Sequence, residues 1–289
     1  MTRFEAYAER RAREALSAAI EPFSTDFDRG SAALQAVGNA WSRRLFDGLF
    51  YLSAAPSRSL PAANLVFVQS RDGDTGADDP STLGGGEADK HLIYEGLSRV
   101  AADGVLSGAT TLRGSELVLS IWHPELVALR ASFGLPRHPA QIVATSRGLN
   151  LDEPLMFNEP ALRVLVIATT QAAAAMRGAL AARPWITPIV MTDGHDLPAA
   201  FRQLRQHGVV RLSCIGGRTI AAQLIDAGLI QDLYLTTSAR SAGEPNTPVY
   251  SKPLQGETIV RKHGTGIDAG MVFEHLVLRH QPTRPASPA

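Results

Sequence analysis

"SCIGGRTIAAQLIDAGLIQDLYL", residues 213–235, sets out an architecture in one line: an apolar run, two glycines, a stretch with a helical period, a glycine stop and a second apolar run. The first run closes "VVRLSCI" (209–215), and Ile220, Ala221, Leu224 and Ile225 then fall on one helical face. Gly228 suits the left-handed residue that ends a helix. Strand, helix, strand is the repeating unit of a parallel sheet.

The same rhythm continues on both sides. "NLVFVQS", "GVLSG", "AQIVATS", "RVLVIATT" and "TPIVMT" read as buried strands, and helical stretches such as "DKHLIYEGLSRVAA", "PELVALRAS", "QAAAAMRGALAA" and "LPAAFRQLRQHG" lie between them. This predicts an α/β fold with a mainly parallel sheet and helices on both faces. The tail changes character: "DLYLTTSA", "GETIVRKHG" and "MVFEHLVLRH" are strands with no helix between them, so antiparallel C-terminal edge strands are expected. Upstream, Leu34, Val37, Trp41, Leu45 and Leu49 recur at steps of three and four, which predicts a helical segment over residues 1–50. Pro56 and Pro61 in "SAAPSRSLPAAN" mark a linker. The expected organisation is an N-terminal helical extension and linker (1–60), a principal domain (61–280) and a frayed tail (281–289).

Composition excludes several jobs. The chain has 289 residues, 45% of them hydrophobic, and its 28 Lys and Arg balance 28 Asp and Glu. No global positive field is available to hold nucleic acid or an anionic membrane. The single cysteine, Cys214, has no partner for an internal disulfide, and the opening "MTRFEAYAERRAREALSA" lacks an apolar signal core, so a cytoplasmic location is expected. No run of about 18 apolar residues is present to span a membrane. The eight histidines show no HExxH or paired zinc spacing, and no metal centre is expected.

In an open sheet of this kind, ligands sit beyond the carboxyl ends of the strands. Gly216 and Gly217 stand at such an end, directly before a helix, where bare backbone and a helix N-terminus favour a phosphate. The same pair equally serves a tight strand-to-helix turn, and GGRT is neither GxGxxG nor a Walker loop. Asp72 and Gly73 read as a turn, or as a carboxylate offered to a substrate. Asp89 and His91, near a helix start, read as charges facing water. Cys214 reads as packed core.

The order of these motifs resembles the bacterial riboflavin-biosynthesis reductases, whose reductase domain has the dihydrofolate reductase-like fold. "NLVFVQSRDGDTG" resembles that family's strand ending in Ser-x-Asp-Gly, through Ser70, Asp72 and Gly73. "EADKHLIYEGLSRVAADGVLSGATTLRG" is similar to its next helix and strand, with Gly108, Ala109, Thr110 and Thr111 at the strand end, and "AQIVATSRG" to the strand that meets the adenosine side of the cofactor. The opening stretch is similar to its Glu-Gly-Gly-x-Thr segment. Two departures stand out: Ile215 where the family has Glu, and "TLRGSE", containing Arg113 and Glu116, where it often has an Asp-Asp-Pro loop.

The resemblance implies an NADPH-dependent oxidoreductase that reduces the ribosyl group of an aminopyrimidine phosphate to ribityl. Gly216, Gly217, Arg218 and Thr219 would hold the pyrophosphate, and Ser146 and Arg147 the 2′-phosphate, which a hydroxyl and a guanidinium fork suit. Gly108 and Thr110 would lie along the nicotinamide half; Ser70 and Asp72 would face the substrate. For Ser146 and Arg147 an exposed turn, and for Thr110 and Thr111 backbone capping, remain open alternatives. The resemblance also implies a homodimer, for which Val272, Phe273, Leu276 and Leu278, helped by the Leu34–Leu49 stretch, are the candidate surface. Two other functions stay open: a same-fold reductase of another heterocycle, dihydrofolate included, and a non-catalytic nucleotide-binding module.

Overall fold

The computed structural model describes residues 1–77, 79–112, 116–192 and 196–279, and only the backbone of Pro80. Arg113 and the tail expected over 281–289 lie outside the described residues. A ten-stranded sheet dominates. Its parallel part is built from β4 (Ala62–Gln69), β5 (Gly104–Gly108), β6 (Ala140–Thr145), β7 (Val164–Thr169), β8 (Ile186–Met191), β9 (Arg211–Cys214) and β10 (Asp232–Thr237). The antiparallel part is β1 (Phe23–Asp28), β11 (Gly256–Gly264) and β12 (Val272–Leu278). Across the sheet the order is β1-β11-β12-β10-β4-β9-β5-β6-β7-β8. A separate hairpin pairs β2 (Gln35–Val37) with β3 (Phe50–Leu52).

The strands run through the interior because both of their faces are apolar. In β4, Ala63 and Leu65 face one core and Val66 the other. The helices α6 (Leu197–Gln206) and α7 (Arg218–Asp226) cover the first face, setting Phe201, Leu204, Ala221 and Leu224 against Leu212, Cys214 and Leu233. Full burial of each such large side chain contributes roughly 1.5–3 kcal/mol. Cys214 is packed core as expected, and burial raises its thiol pKa. The opposite face is covered by α1 (Arg3–Ser17), α3 (Pro124–Ser132) and a π-helix over Ala88–Leu97 that kinks at Gly96. The short α4 (Thr170–Ala175) and α5 (Arg177–Ala181) follow β7.

The first fifty residues depart from the predicted helix. Only α1 and α2 (Ala40–Phe46) are helical there; β1, β2 and β3 account for much of the rest. The apolar spacing from Leu34 to Leu49 suits one helix, yet Gly38 (φ +143°), Asp47 (φ 54°) and Gly48 (φ +136°) break it. Such positive φ values favour glycine and end regular helix. Leu45, Phe46 and Phe50 join Phe23, Tyr234 and Phe273 in one core cluster, so this stretch covers the chain's own sheet. The dimer surface argued from β12 also changes. β12 lies between β10 and β11 rather than at the edge, with Phe273 and Leu278 buried in opposite cores.

A polar latch fastens the N-terminal segment to the sheet. Asp232, at the start of β10, accepts from Ser53 N (2.8 Å) and Ser53 Oγ (2.6 Å), and His275 Nε2 lies 2.8 Å from its Oδ1. All three residues are buried. Asp232→Ala strands the Ser53 amide and the imidazole, so a loss of about 3 kcal/mol is expected in urea denaturation. A loss below about 1 kcal/mol, the range of a surface pair, would contradict the latch.

Candidate active site

At the carboxyl edge of the sheet, β9 and β5 end side by side. Ile215 N donates to Leu106 O (2.9 Å) and Gly108 N to Gly216 O (3.1 Å), which brings Gly108 against the glycine pair. Gly216 (φ +127°) and Gly217 (φ +59°) both hold backbone conformations that a side chain rarely adopts. Space is not the constraint: a Cβ on Gly216 would lie 3.9 Å from Phe67 Cζ, and one on Gly217 3.8 Å from Ile220 Cγ2. The glycines therefore make the turn, and the turn leaves the start of α7 bare, with no side chain capping it. Unsatisfied N–H groups and the helix dipole make that start favourable for an anion.

The other cofactor candidates lie along the same edge. Arg218 and Thr219 are exposed on the first turn of α7; Arg218 Nη2 is 3.5 Å from Glu244 Oε2, an exposed pair that costs little to break. Thr110 is exposed on the 3-10 turn Ala109–Leu112 that follows β5. Ser146 and Arg147 are exposed in a turn after β6, closed by Thr145 Oγ1, which accepts from Gly148 N (3.0 Å), and by Thr169 Oγ1, which donates to Ser146 O (3.0 Å). Two strand spacings, about 10 Å, separate the ends of β9 and β6.

On the substrate side the picture shifts. Ser70 is fully buried, Gly73 N donates to Ser70 O (3.0 Å) and Ser70 N to Asp74 O (2.9 Å), so Ser-x-Asp-Gly forms a tight turn with Asp72 exposed at its tip. Ile215 is buried in apolar company that includes Val105 and Leu112, so no carboxylate precedes the glycines.

The carboxylate that the sequence analysis sent to solvent is the one the structure buries. Asp89 and His91 are 7% and 2% exposed. Burial raises the Asp89 carboxyl from 3.8 to about 7; the Thr236 hydroxyl opposes that shift and the Asp268 charge adds to it. Among the described residues, Asp89 Oδ1 has no hydrogen-bond partner. Burial, helped by Lys90 and Arg11, lowers His91 to about 4 and keeps it neutral. A readable signal precedes Asp89, the run Gly84-Gly85-Gly86. A Cβ on Gly85 would fall 2.9 Å from Asp89 Cβ and 2.9 Å from Val68 Cγ2, so the bare backbone lies directly on the carboxylate. Val68 adjoins Phe67, which faces Gly216, so the acid and the glycine cradle flank one strand end on opposite faces.

Comparison with known proteins agrees with this fold. The chain matches the RibD C-terminal domain family over residues 61–272. No curated protein sequence matches it. Among solved structures it is similar to a pyrimidine reductase-like protein of Corynebacterium diphtheriae, at 18% identity and a TM-score of 0.60 over 76% of this chain and 93% of that one. It is similar to RibD of Acinetobacter baumannii at 16% identity and a TM-score of 0.59, over 76% of this chain but 58% of that longer one. A riboflavin biosynthesis reductase of Saccharomyces cerevisiae gives 16% identity and a TM-score of 0.55, over 76% of this chain and 91% of that one. These likenesses carry the dihydrofolate reductase-like fold, with its parallel sheet and antiparallel edge. With most of its length matched and the motifs in order along one sheet edge, the chain belongs to the RibD C-terminal domain family.

Proposed function

We propose that this protein is an NADPH-dependent reductase of riboflavin formation that converts the ribosyl group of a ribosylated aminopyrimidine phosphate to ribityl. The observation that carries the proposal is the bare, uncapped start of α7 behind Gly216 and Gly217, beside Gly108. Those backbone groups, with Arg218 and Thr219, hold the pyrophosphate, and Gly108 and Thr110 line the path toward the nicotinamide. NADPH, when bound, supplies the hydride. Asp89 is the buried acid of the edge; half protonated near neutral pH, it holds or gives a proton at the substrate. Ser70 shapes the turn beneath, and Asp72 lies at the rim. The test is oxidation of NADPH in the presence of that substrate.

One observation favours a second reading. Ile215 and "TLRGSE" replace acidic positions of the family, and Asp89 offers its acid from the other face of the strand end. A same-fold reductase of another heterocycle fits that rearrangement, and a side-by-side turnover assay with dihydrofolate separates the two.

Cofactor choice follows from the turn after β6. The Arg147 side chain is exposed and open to a 2′-phosphate. NADPH is expected to bind more tightly than NADH, and Arg147→Glu to cut that preference roughly tenfold, or about 1.4 kcal/mol, in fluorescence titrations. Equal affinities in the wild type would contradict the assignment. We place the protein in the cytoplasm, in keeping with the absence, among the described residues, of a helix long and apolar enough to cross a membrane. A homodimer remains part of the proposal on family grounds, and light scattering that returns only 30.9 kDa at micromolar concentration would remove it.

A further inference from the structure

Two groups have a claim on Arg218. Its guanidinium pairs with the Glu244 carboxylate, Nη2 3.5 Å from Oε2, and the proposed function gives it to a pyrophosphate. Glu244 reaches α7 because of the paths the chain takes at the carboxyl edge. β4 and β10 run parallel and side by side, so the segments that leave them, 70–77 and 238–250, start together. β9, on the other side of β4, delivers Gly216, Gly217 and the start of α7 to the same edge.

Hydrogen bonds knot the first two segments together. Glu244 N donates to Gly76 O (2.7 Å), Gly76 N to Thr247 Oγ1 (2.9 Å), Thr75 Oγ1 to Thr247 O (2.7 Å) and Thr247 N to Asp74 Oδ1 (2.8 Å). Nearer the strands, Arg71 N donates to Arg240 O (2.8 Å). Gly243, at φ +85°, presses the backbone down just before Glu244: a Cβ there would fall 2.8 Å from Leu83 Cδ2 and 3.0 Å from Gly76 O. The Glu244 backbone is thus fixed on the loop pair that carries Ser70 and Asp72, while its side chain, 70% exposed, is free to turn. The Arg218 side chain is 41% exposed. An exposed pair of this kind is weak. A pyrophosphate with backbone N–H groups beside it outcompetes a lone carboxylate for the guanidinium.

We propose that Glu244 is a displaceable counter-ion for Arg218 that sets the affinity of the cofactor site: it holds the guanidinium before the cofactor arrives, yields it to the pyrophosphate, and takes it back as the spent cofactor leaves. The inference rests on the proposed function for the identity of the dinucleotide; the exchange itself concerns any pyrophosphate at the start of α7. A dinucleotide has to be released after each hydride transfer, and a competing carboxylate loosens the grip on its most charged part. NADPH and NADH share that part. Glu244 therefore tunes the affinity for both and leaves the choice between them to Arg147.

The experiment is a double-mutant cycle on the full chain: wild type, Glu244→Gln, Arg218→Ala and the two together, each titrated with NADPH, NADH and inorganic pyrophosphate. Glutamine keeps the backbone bonds to Gly76 and the length of the side chain, so the variant should hold its thermal midpoint without ligand. Glu244→Gln is expected to bind all three ligands about two- to fivefold more tightly, the weight of an exposed pair. In stopped flow the gain should appear as slower release. With Arg218→Ala in place, the same substitution should bring no gain. Unchanged affinity in Glu244→Gln overturns the proposal, and so does an equal gain with and without Arg218, which is plain charge repulsion. A gain for NADPH alone also overturns it, because Glu244 then acts on the 2′-phosphate. Wild type that binds pyrophosphate but neither dinucleotide overturns the proposed function, and the pyrophosphate cycle still decides the exchange. Wild type that binds none of the three overturns both.

Discussion

Gly217→Val and Gly217→Asn are both expected to lose stability and the response to NADPH. Gly217 sits at φ +59°, in the left-handed region, and a Cβ there has room, since its nearest neighbour lies 3.8 Å away. The cost to valine is therefore backbone strain, about 1–2 kcal/mol, which lowers the thermal midpoint by several degrees. Asparagine tolerates positive φ only at ψ of about +30 to +60°, and Gly217 has ψ 127°, so its variant should lose stability as well. Both side chains occupy the bare turn before α7 where a pyrophosphate would meet the backbone. A ligand raises the midpoint only by binding the folded state, so a blocked cradle appears as a missing rise. Thermal denaturation of the three proteins, with and without saturating NADPH, checks this. An undiminished rise in Gly217→Asn would mean that the glycines serve the turn alone.

Asp89→Asn is expected to stabilise the protein and to abolish its chemistry. In the folded chain the Asp89 carboxyl titrates near 7, against 3.8 for the free group. Between those values the native state holds a proton that the unfolded chain has released, so stability falls as pH rises through that window and is lowest above pH 7. An amide escapes this penalty, which amounts to at most about 4 kcal/mol at alkaline pH. Urea denaturation at several pH values should thus show the variant gaining on wild type as pH rises, and equal pH dependence in the two would show that Asp89 is not the titrating group. Turnover should drop by about 10²–10⁴, the usual weight of a positioned acid or base. A stable variant with full activity would remove Asp89 from the mechanism.

The architecture was legible wherever burial on both faces forces continuous apolar runs. β4, β6 and β7 carry such runs, and the Gly216-Gly217 turn and the Gly228 stop punctuate the unit between β9 and β10. The N-terminal fifty residues misled because Leu34, Val37, Trp41, Leu45 and Leu49 keep a helical spacing across three short elements; in sequence, a glycine such as Gly38 weakens a helix without announcing that the chain turns. That β12 lies inside the sheet is not visible in the sequence, because strand order is a long-range property that no local pattern encodes.

In the site, the sequence places Gly108, Gly216 and Gly217 at strand ends, and the structure brings them together there, since their backbone geometry is one that the residue type reveals. Asp89 was missed. A charge near a helix start is normally solvated, and only the packing of Gly85 over Val68 and the carboxylate shows that this one is not. Asp72, by contrast, carried a family motif and proved to be the tip of a turn.

The central claim is that this sheet edge binds NADPH and spends its hydride on a ribosyl group. It is tested most directly by incubating the full chain with NADPH deuterated at the transferable position and the ribosylated aminopyrimidine phosphate, then weighing the product by mass spectrometry. The account predicts a ribityl product that carries the label at the former anomeric carbon, formed at a rate matching NADPH oxidation and lost in Asp89→Asn. Unlabelled substrate recovered intact, with NADPH bound but not oxidised, would contradict it.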